Sequence, residues 1–152
     1  MVGTSSSALI GRDDELAHAR RLLASNGRLV TFVGPPGVGK TRVLRQLARE
    51  LAREGADVRL VFLRDVDPTD VLASVVRALL NGARTAPRAT AIARAAERME
   101  ERATVLVLDE AEHVREEVAE LVSAWLDGTT RPRILVSSRE RLDIPHEHVV
   151  RL

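Results

Sequence analysis

Leu29-Val30-Thr31-Phe32-Val33-Gly34-Pro35-Pro36-Gly37-Val38-Gly39-Lys40-Thr41 is the stretch that decides the fold of this chain. Its first five residues are mostly apolar and β-branched, the pattern of a short parallel strand buried on both faces. The next eight spell G-x-x-x-x-G-K-[ST], in which glycines let the backbone curl until successive N–H groups face a bound anion. Lys40 is the only lysine of the chain. In this motif it meets the β/γ-phosphates of a nucleotide as a point charge, while the Thr41 hydroxyl is placed to ligate Mg²⁺. Beyond the loop, Val43, Leu44, Leu47, Ala48 and Leu51 recur at helical spacing as far as Gly55, a C-terminal stop. Strand, glycine loop and helix in that order read as a nucleoside-triphosphate seat over a helix N-terminus. Its candidate binding residues are Gly34, Pro35, Pro36, Gly37, Val38, Gly39, Lys40, Thr41 and Arg42. Lys40, reaching over the loop, is expected to face solvent.

On the N-terminal side, Leu16, Ala19, Leu22 and Leu23 mark a helix from about Asp14 to Ser25, ended by Asn26-Gly27. Residues 1–8 are small and polar and read as a flexible lead, which leaves 9–152 as one domain. On the C-terminal side, a strand is expected over Val58–Leu63. Asp67-Pro68 then supplies an N-cap and a first-turn proline ahead of Val71, Leu72, Val75, Val76, Leu79 and Leu80, and Asn81-Gly82 closes that helix. A further helix follows over about Arg88–Glu101, then strands over Thr104–Leu108 and Arg133–Ser137 flanking a helix over Glu112–Leu126. His148–Leu152 reads as a fifth strand. Strands alternating with helices imply an α/β fold whose parallel sheet is covered on both faces.

Composition narrows the function classes. The 23 basic residues, all arginine apart from Lys40, balance 22 acidic ones to a formal net charge of +1. No global field therefore points to nucleic acid or an anionic membrane. Aromatic content is 2%, with no tyrosine to stack bases. The absence of cysteine excludes disulfides, thiolate metal sites and a Cys nucleophile. No apolar run approaches the roughly 18 residues that span a bilayer, and the N-terminus lacks a signal-peptide layout. A cytoplasmic chain with no membrane and no direct nucleic-acid partner is the expectation. The four histidines show no ligand spacing, so Mg²⁺ arriving with ATP or ADP is the only metal implied.

Val105-Leu106-Val107-Leu108-Asp109-Glu110 is an apolar strand ending in two carboxylates, the form of a Walker B element. Asp109 is the candidate metal residue beside Thr41, and Glu110 is the candidate to orient and polarise the attacking water. Two acids also favour the start of a following helix for purely local reasons. The strand over Val58–Leu63 between the two motifs is the layout of P-loop ATPases that carry a catalytic glutamate. No N-K-x-D segment reads guanine, so ATP is preferred over GTP. Ser137-Ser138-Arg139 ends the fourth strand at the carboxyl edge, where parallel-sheet enzymes present polar side chains to ligands. There Ser137 can position the water and Arg139 can sense the γ-phosphate, although a serine cap and a solvated arginine would look the same.

Two segments carry a family resemblance. Leu9-Ile10-Gly11-Arg12-Asp13-Asp14-Glu15-Leu16 is similar to the h-h-G-R-x-x-E-L start of the STAND class, the signal-transduction ATPases with numerous domains. Ile134 to Leu142, containing Ser137-Ser138-Arg139-Glu140, resembles the T-S-R-E-x-L sensor segment of that class, seen in large bacterial transcriptional regulators. The resemblance implies a P-loop NTPase three-layer sandwich with a mostly parallel five-stranded sheet. It also implies an NB-ARC-like core in which Gly11 and Arg12 flank adenine and Arg139 reads the γ-phosphate. Taken alone, Gly11-Arg12-Asp13 is a helix-start turn. Many members have Asn or Asp where this chain has Glu110. Because the sequence stops at the last predicted strand, the lid of the class is expected to be absent. Nucleotide binding and turnover are then expected to be weak and slow, with lid and output domains or partner proteins outside the chain. The Gly-Pro-Pro-Gly-x-Gly-Lys-Thr loop and Asp-Glu pair suit an AAA+ module equally, and a module that binds ATP without hydrolysing it is a third reading.

Overall fold

The computed structural model describes residues 11–81 and 86–152; the expected N-terminal lead, Leu9, Ile10 and Gly82 lie outside the described residues. Five strands form one sheet in the order β2-β3-β4-β1-β5, namely β2 (Val58–Phe62), β3 (Val105–Asp109), β4 (Arg133–Ser138), β1 (Leu29–Val33) and β5 (Glu147–Arg151). Every pairing is parallel, which sharpens the expected mostly parallel sheet. All carboxyl ends therefore share one edge.

Helices α1 (Asp13–Ala24) and α2 (Lys40–Arg53) cover one face. Helices α3 (Val71–Leu79), α4 (Arg88–Arg102) and α5 (Arg115–Gly128) cover the other. Strand alternation divides the core between them. On β3, Val105 and Val107 join Val43, Leu44 and Leu47 of α2, while Leu106 and Leu108 join Val118, Leu121 and Trp125 of α5. Two such cores back to back make the three-layer α/β sandwich of the P-loop NTPase-like fold.

Two helix starts differ from the periodic reading. Pro68–Asp70 forms a short 3-10 turn before α3, because the Asp67 carboxylate accepts the Thr69 N–H at 2.9 Å and the proline fixes the first residue. Glu112–Val114 forms another before α5. There the chain is still tied to the sheet, with the Ala111 N–H donating to the Ser137 carbonyl at 2.9 Å.

Candidate active site

The phosphate loop leaves β1 at Gly34 and becomes α2 at Lys40. Gly39 stands at φ 101°, a left-handed conformation that side chains disfavour, directly before the first helical residue. A Cβ on Gly34 would lie 2.9 Å from Val38 Cγ1 and 3.0 Å from the Leu152 carbonyl oxygen, so the close approach there requires glycine. No side chain caps α2, and its first turn holds Lys40, Thr41 and Arg42 without an acid. Cations at a helix N-terminus oppose the dipole, a local conflict that an anion on the free N–H groups would offset.

The structure corrects the expectation of a solvent-facing lysine. Lys40 is 7% exposed, its Nζ donating to the carbonyls of Gly34 at 2.7 Å and Pro35 at 3.0 Å, with Glu112 Oε1 at 3.8 Å. An ammonium carries three donors, and the curled loop offers it carbonyls. The charge is thus already held over the loop.

Thr41 and Asp109, 68 residues apart, meet at the carboxyl edge: Thr41 Oγ1 donates to Asp109 Oδ1 at 3.0 Å. Ser137 Oγ donates to the same oxygen at 2.6 Å. Asp109 is fully buried, yet among the described residues its Oδ2 takes no hydrogen bond; Arg45 Nε approaches it at 3.6 Å, an ionic contact beyond hydrogen-bond reach. A buried carboxylate oxygen with free lone pairs beside a threonine hydroxyl is the donor set a hard cation takes. Two protein oxygens are too few to cage Mg²⁺ alone, which suits a metal that arrives with phosphates. Thr41 and Asp109 therefore fit the metal expected of them.

Glu110 has φ 58°, unusual for a non-glycine residue, and its neighbours hold it there. The Leu63 N–H donates to the Asp109 carbonyl at 2.9 Å, the Ala111 N–H to Ser137, and the Glu110 N–H itself to Ser137 Oγ at 2.8 Å. Its side chain is part-exposed, with Oε1 3.4 Å from Arg64 Nη2. The Ser137 hydroxyl thus donates to Asp109 Oδ1 and accepts from the Glu110 N–H. Ser138, on the opposite face of β4, is buried with its Oγ unpartnered.

Arg139 follows at the exposed end of β4 and lines a cleft of about 470 Å³ with Glu112, His113, Arg115, Ser138 and Glu140. The segment after it is fastened twice. Arg115 Nη1 donates to the Arg141 carbonyl at 2.8 Å. The fully buried Glu147 carboxylate accepts the N–H groups of Leu142 at 2.6 Å and Asp143 at 3.1 Å and the Thr31 hydroxyl at 2.7 Å. Glu147 so links the Arg139 segment to the strand that feeds the phosphate loop. At the other end of the site, Arg12 Nη2 donates to the Val38 carbonyl at 2.8 Å and its Nη1 pairs with Glu15 at 3.0 Å. That bond ties the start of α1 to the loop; Gly11 precedes it, exposed, at φ 83°.

Residues that sequence reading did not single out are Arg45, Phe62, Arg64, Glu112 and Glu147. Arg45 had a usable signal, since it lies four residues after Thr41 and hence on the same helix face. The others meet their partners only through contacts between segments distant in sequence.

Comparison with known proteins matches residues 21–144 to the AAA domain family. An uncharacterized protein of Mycobacterium tuberculosis (strain ATCC 25618 / H37Rv) is 32% identical over 145 residues, covering 93% of this chain and 36% of that protein. The chain thus spans about a third of the curated relatives it matches over its length. Among solved structures, Drosophila ORC bound to AT-rich DNA and Cdc6 superposes with a TM-score of 0.63 at 14% identity, over 90% of this chain and 52% of that one. A STAND protein with a tetratricopeptide repeat sensor from Pyrococcus horikoshii superposes with a TM-score of 0.58 at 16% identity, over 94% of this chain and 23% of that one. The structural likenesses carry the fold, and with the match over 21–144 the chain belongs to the AAA domain family.

Proposed function

We propose that this domain is the ATP-binding, slowly hydrolysing nucleotide core of a STAND-type regulator, whose nucleotide state is passed to parts of the protein outside this chain. The observation that carries the reading is the convergence of Thr41, Asp109 and Ser137 at the carboxyl edge, beside a phosphate loop over an uncapped helix. The Arg12 bond to the Val38 carbonyl supports the STAND assignment, because it sets the Gly11-Arg12 segment against the phosphate loop, where that class covers adenine.

In this reading the loop N–H groups and Lys40 hold the β- and γ-phosphates, with Lys40 Nζ passing from the Gly34 and Pro35 carbonyls to phosphate oxygens. Thr41 and Asp109 hold Mg²⁺, which when bound neutralises charge on the phosphate oxygens. Glu110, its backbone fixed by Ser137, orients a water and accepts its proton as the water oxygen bonds to the γ-phosphorus. The bond from that phosphorus to the β–γ bridging oxygen breaks, leaving ADP and inorganic phosphate. Arg139 meets the γ-phosphate charge from the end of β4.

Single-turnover hydrolysis of ATP tests this: phosphate release by the parent domain is expected, and nucleotide binding without release would favour the non-hydrolysing module. A motor-type AAA+ module is the second reading, favoured by the family match over 21–144. It requires ATP-dependent rings, visible as hexamers on size-exclusion chromatography.

A further inference from the structure

We infer that Arg45 is a built-in competitor for Mg²⁺ at Asp109, standing by its unbonded carboxylate oxygen until the cation displaces it; the inference rests on the ATP-site reading above. Two anomalies converge on this arginine. Asp109 Oδ2 is buried without a hydrogen bond, and Arg45 Nε, 3.6 Å away, is the only cation paired with it among the described residues. Phe62, at the end of the edge strand β2, is half exposed, the only large apolar side chain so exposed among the described residues. The Arg45 guanidinium carbon lies 4.7 Å over its ring centroid.

Each anomaly explains the other. A buried carboxylate oxygen with no donor needs a compensating charge. A guanidinium stacks flat on an aromatic face while keeping its N–H fork free to turn toward an anion, which an ammonium cannot do. Phe62 therefore parks Arg45 within reach of Asp109 without bonding it there. Thr41 and Arg45 sit one turn apart on α2, so the residue expected to ligate the metal and the residue that competes with it approach Asp109 from the same helix face.

Among the described residues, Lys40 is engaged on the loop carbonyls and near Glu112, and Arg64 on Glu110. Two cations against one carboxylate repel, so Arg45 must move away from Asp109 when Mg²⁺ arrives. With Arg45 in place, the site tolerates nucleotide without divalent metal and responds to Mg²⁺ only at higher concentration.

The test is titration of a fluorescent ADP analogue into the parent chain and Arg45→Met, in EDTA and across a Mg²⁺ series, with Mn²⁺ binding followed by electron paramagnetic resonance. Methionine keeps length and apolar contact with the ring while removing the charge. Arg45→Met is expected to lower the half-saturating Mg²⁺ and Mn²⁺ concentrations by roughly fivefold, the scale of a half-exposed ion pair, and to weaken binding in EDTA. Phe62→Leu, which removes the ring and keeps the bulk, should move both quantities in the same direction by less. A metal response unchanged or weakened in Arg45→Met, with circular dichroism showing a folded protein, overturns the inference and leaves the nucleotide reading standing. A parent chain that binds no nucleotide with or without metal removes both.

Discussion

The two oxygens of Asp109 are used unequally: Oδ1 accepts from Thr41 and Ser137, while Oδ2 keeps its lone pairs. The neighbouring acids should therefore respond differently to amide replacement. Glu110→Gln preserves shape and the backbone bond to Ser137, so nucleotide affinity should hold or tighten while single-turnover hydrolysis falls. Asp109→Asn sets an amide against Thr41 and Ser137 or against Arg45, and should weaken Mg²⁺-dependent binding. Hydrolysis by Glu110→Gln at the parent rate would make that residue structural. Ser137→Ala leaves the Glu110 N–H without its acceptor in a buried strand end, a loss of about 1–3 kcal/mol in denaturant unfolding. A Ser137→Ala stability equal to the parent would show that the hydroxyl does not hold the pair. At this scale the sequence named most of the polar residues of the site but not their wiring. Strand alternation puts Asp109 and Ser137 on the α2 face, yet the sharing of one hydroxyl between Asp109 and Glu110 follows from the φ of 58° at Glu110, which no residue type announces.

Among the elements, the phosphate-loop strand and its helix begin where hydrophobic spacing puts them, because strand periodicity and a glycine-rich turn are local. The starts of α3 and α5 do not, because side-chain capping at Asp67 and tethering at Ala111 tighten each first turn into 3-10 form. The far end of the sheet shows how one side chain fixes a junction. Glu100, near the C-terminus of α4, accepts the N–H groups of Arg131 and Thr130 and the Thr130 hydroxyl, all between 2.7 and 2.9 Å. Those bonds, led by the Arg131 N–H, hold its carboxyl at about 2, below the ordinary 4.5. A carboxyl whose folded value is depressed stabilises the fold above its ordinary value, and that stability is lost as pH falls toward the folded value. Glu100→Gln should therefore flatten the fall in thermal midpoint between pH 4.5 and about 2. An acid limb as steep as the parent's would show that Glu100 does not anchor the turn into β4.

For the whole molecule, sheet order is what brings the chemistry together. β4 lies between β1 and β3, so Ser137 sits beside Asp109, and Thr41, at the end of the β1 loop, meets Asp109 across one strand. That order comes from pairing between strands more than a hundred residues apart, such as Leu29 with Glu147, and only the class of the sheet was legible from the sequence. Among the described residues no helix is long and apolar enough to cross a membrane. In the proposed reading, the phosphate loop built around the buried Lys40 seats a nucleotide. Calorimetric titration of Mg²⁺-ATP into the parent chain and Lys40→Ala, with circular dichroism on both, tests it most directly. Single-site binding by the parent and its loss in a folded Lys40→Ala is the predicted result. Equal affinity in the two proteins would contradict it.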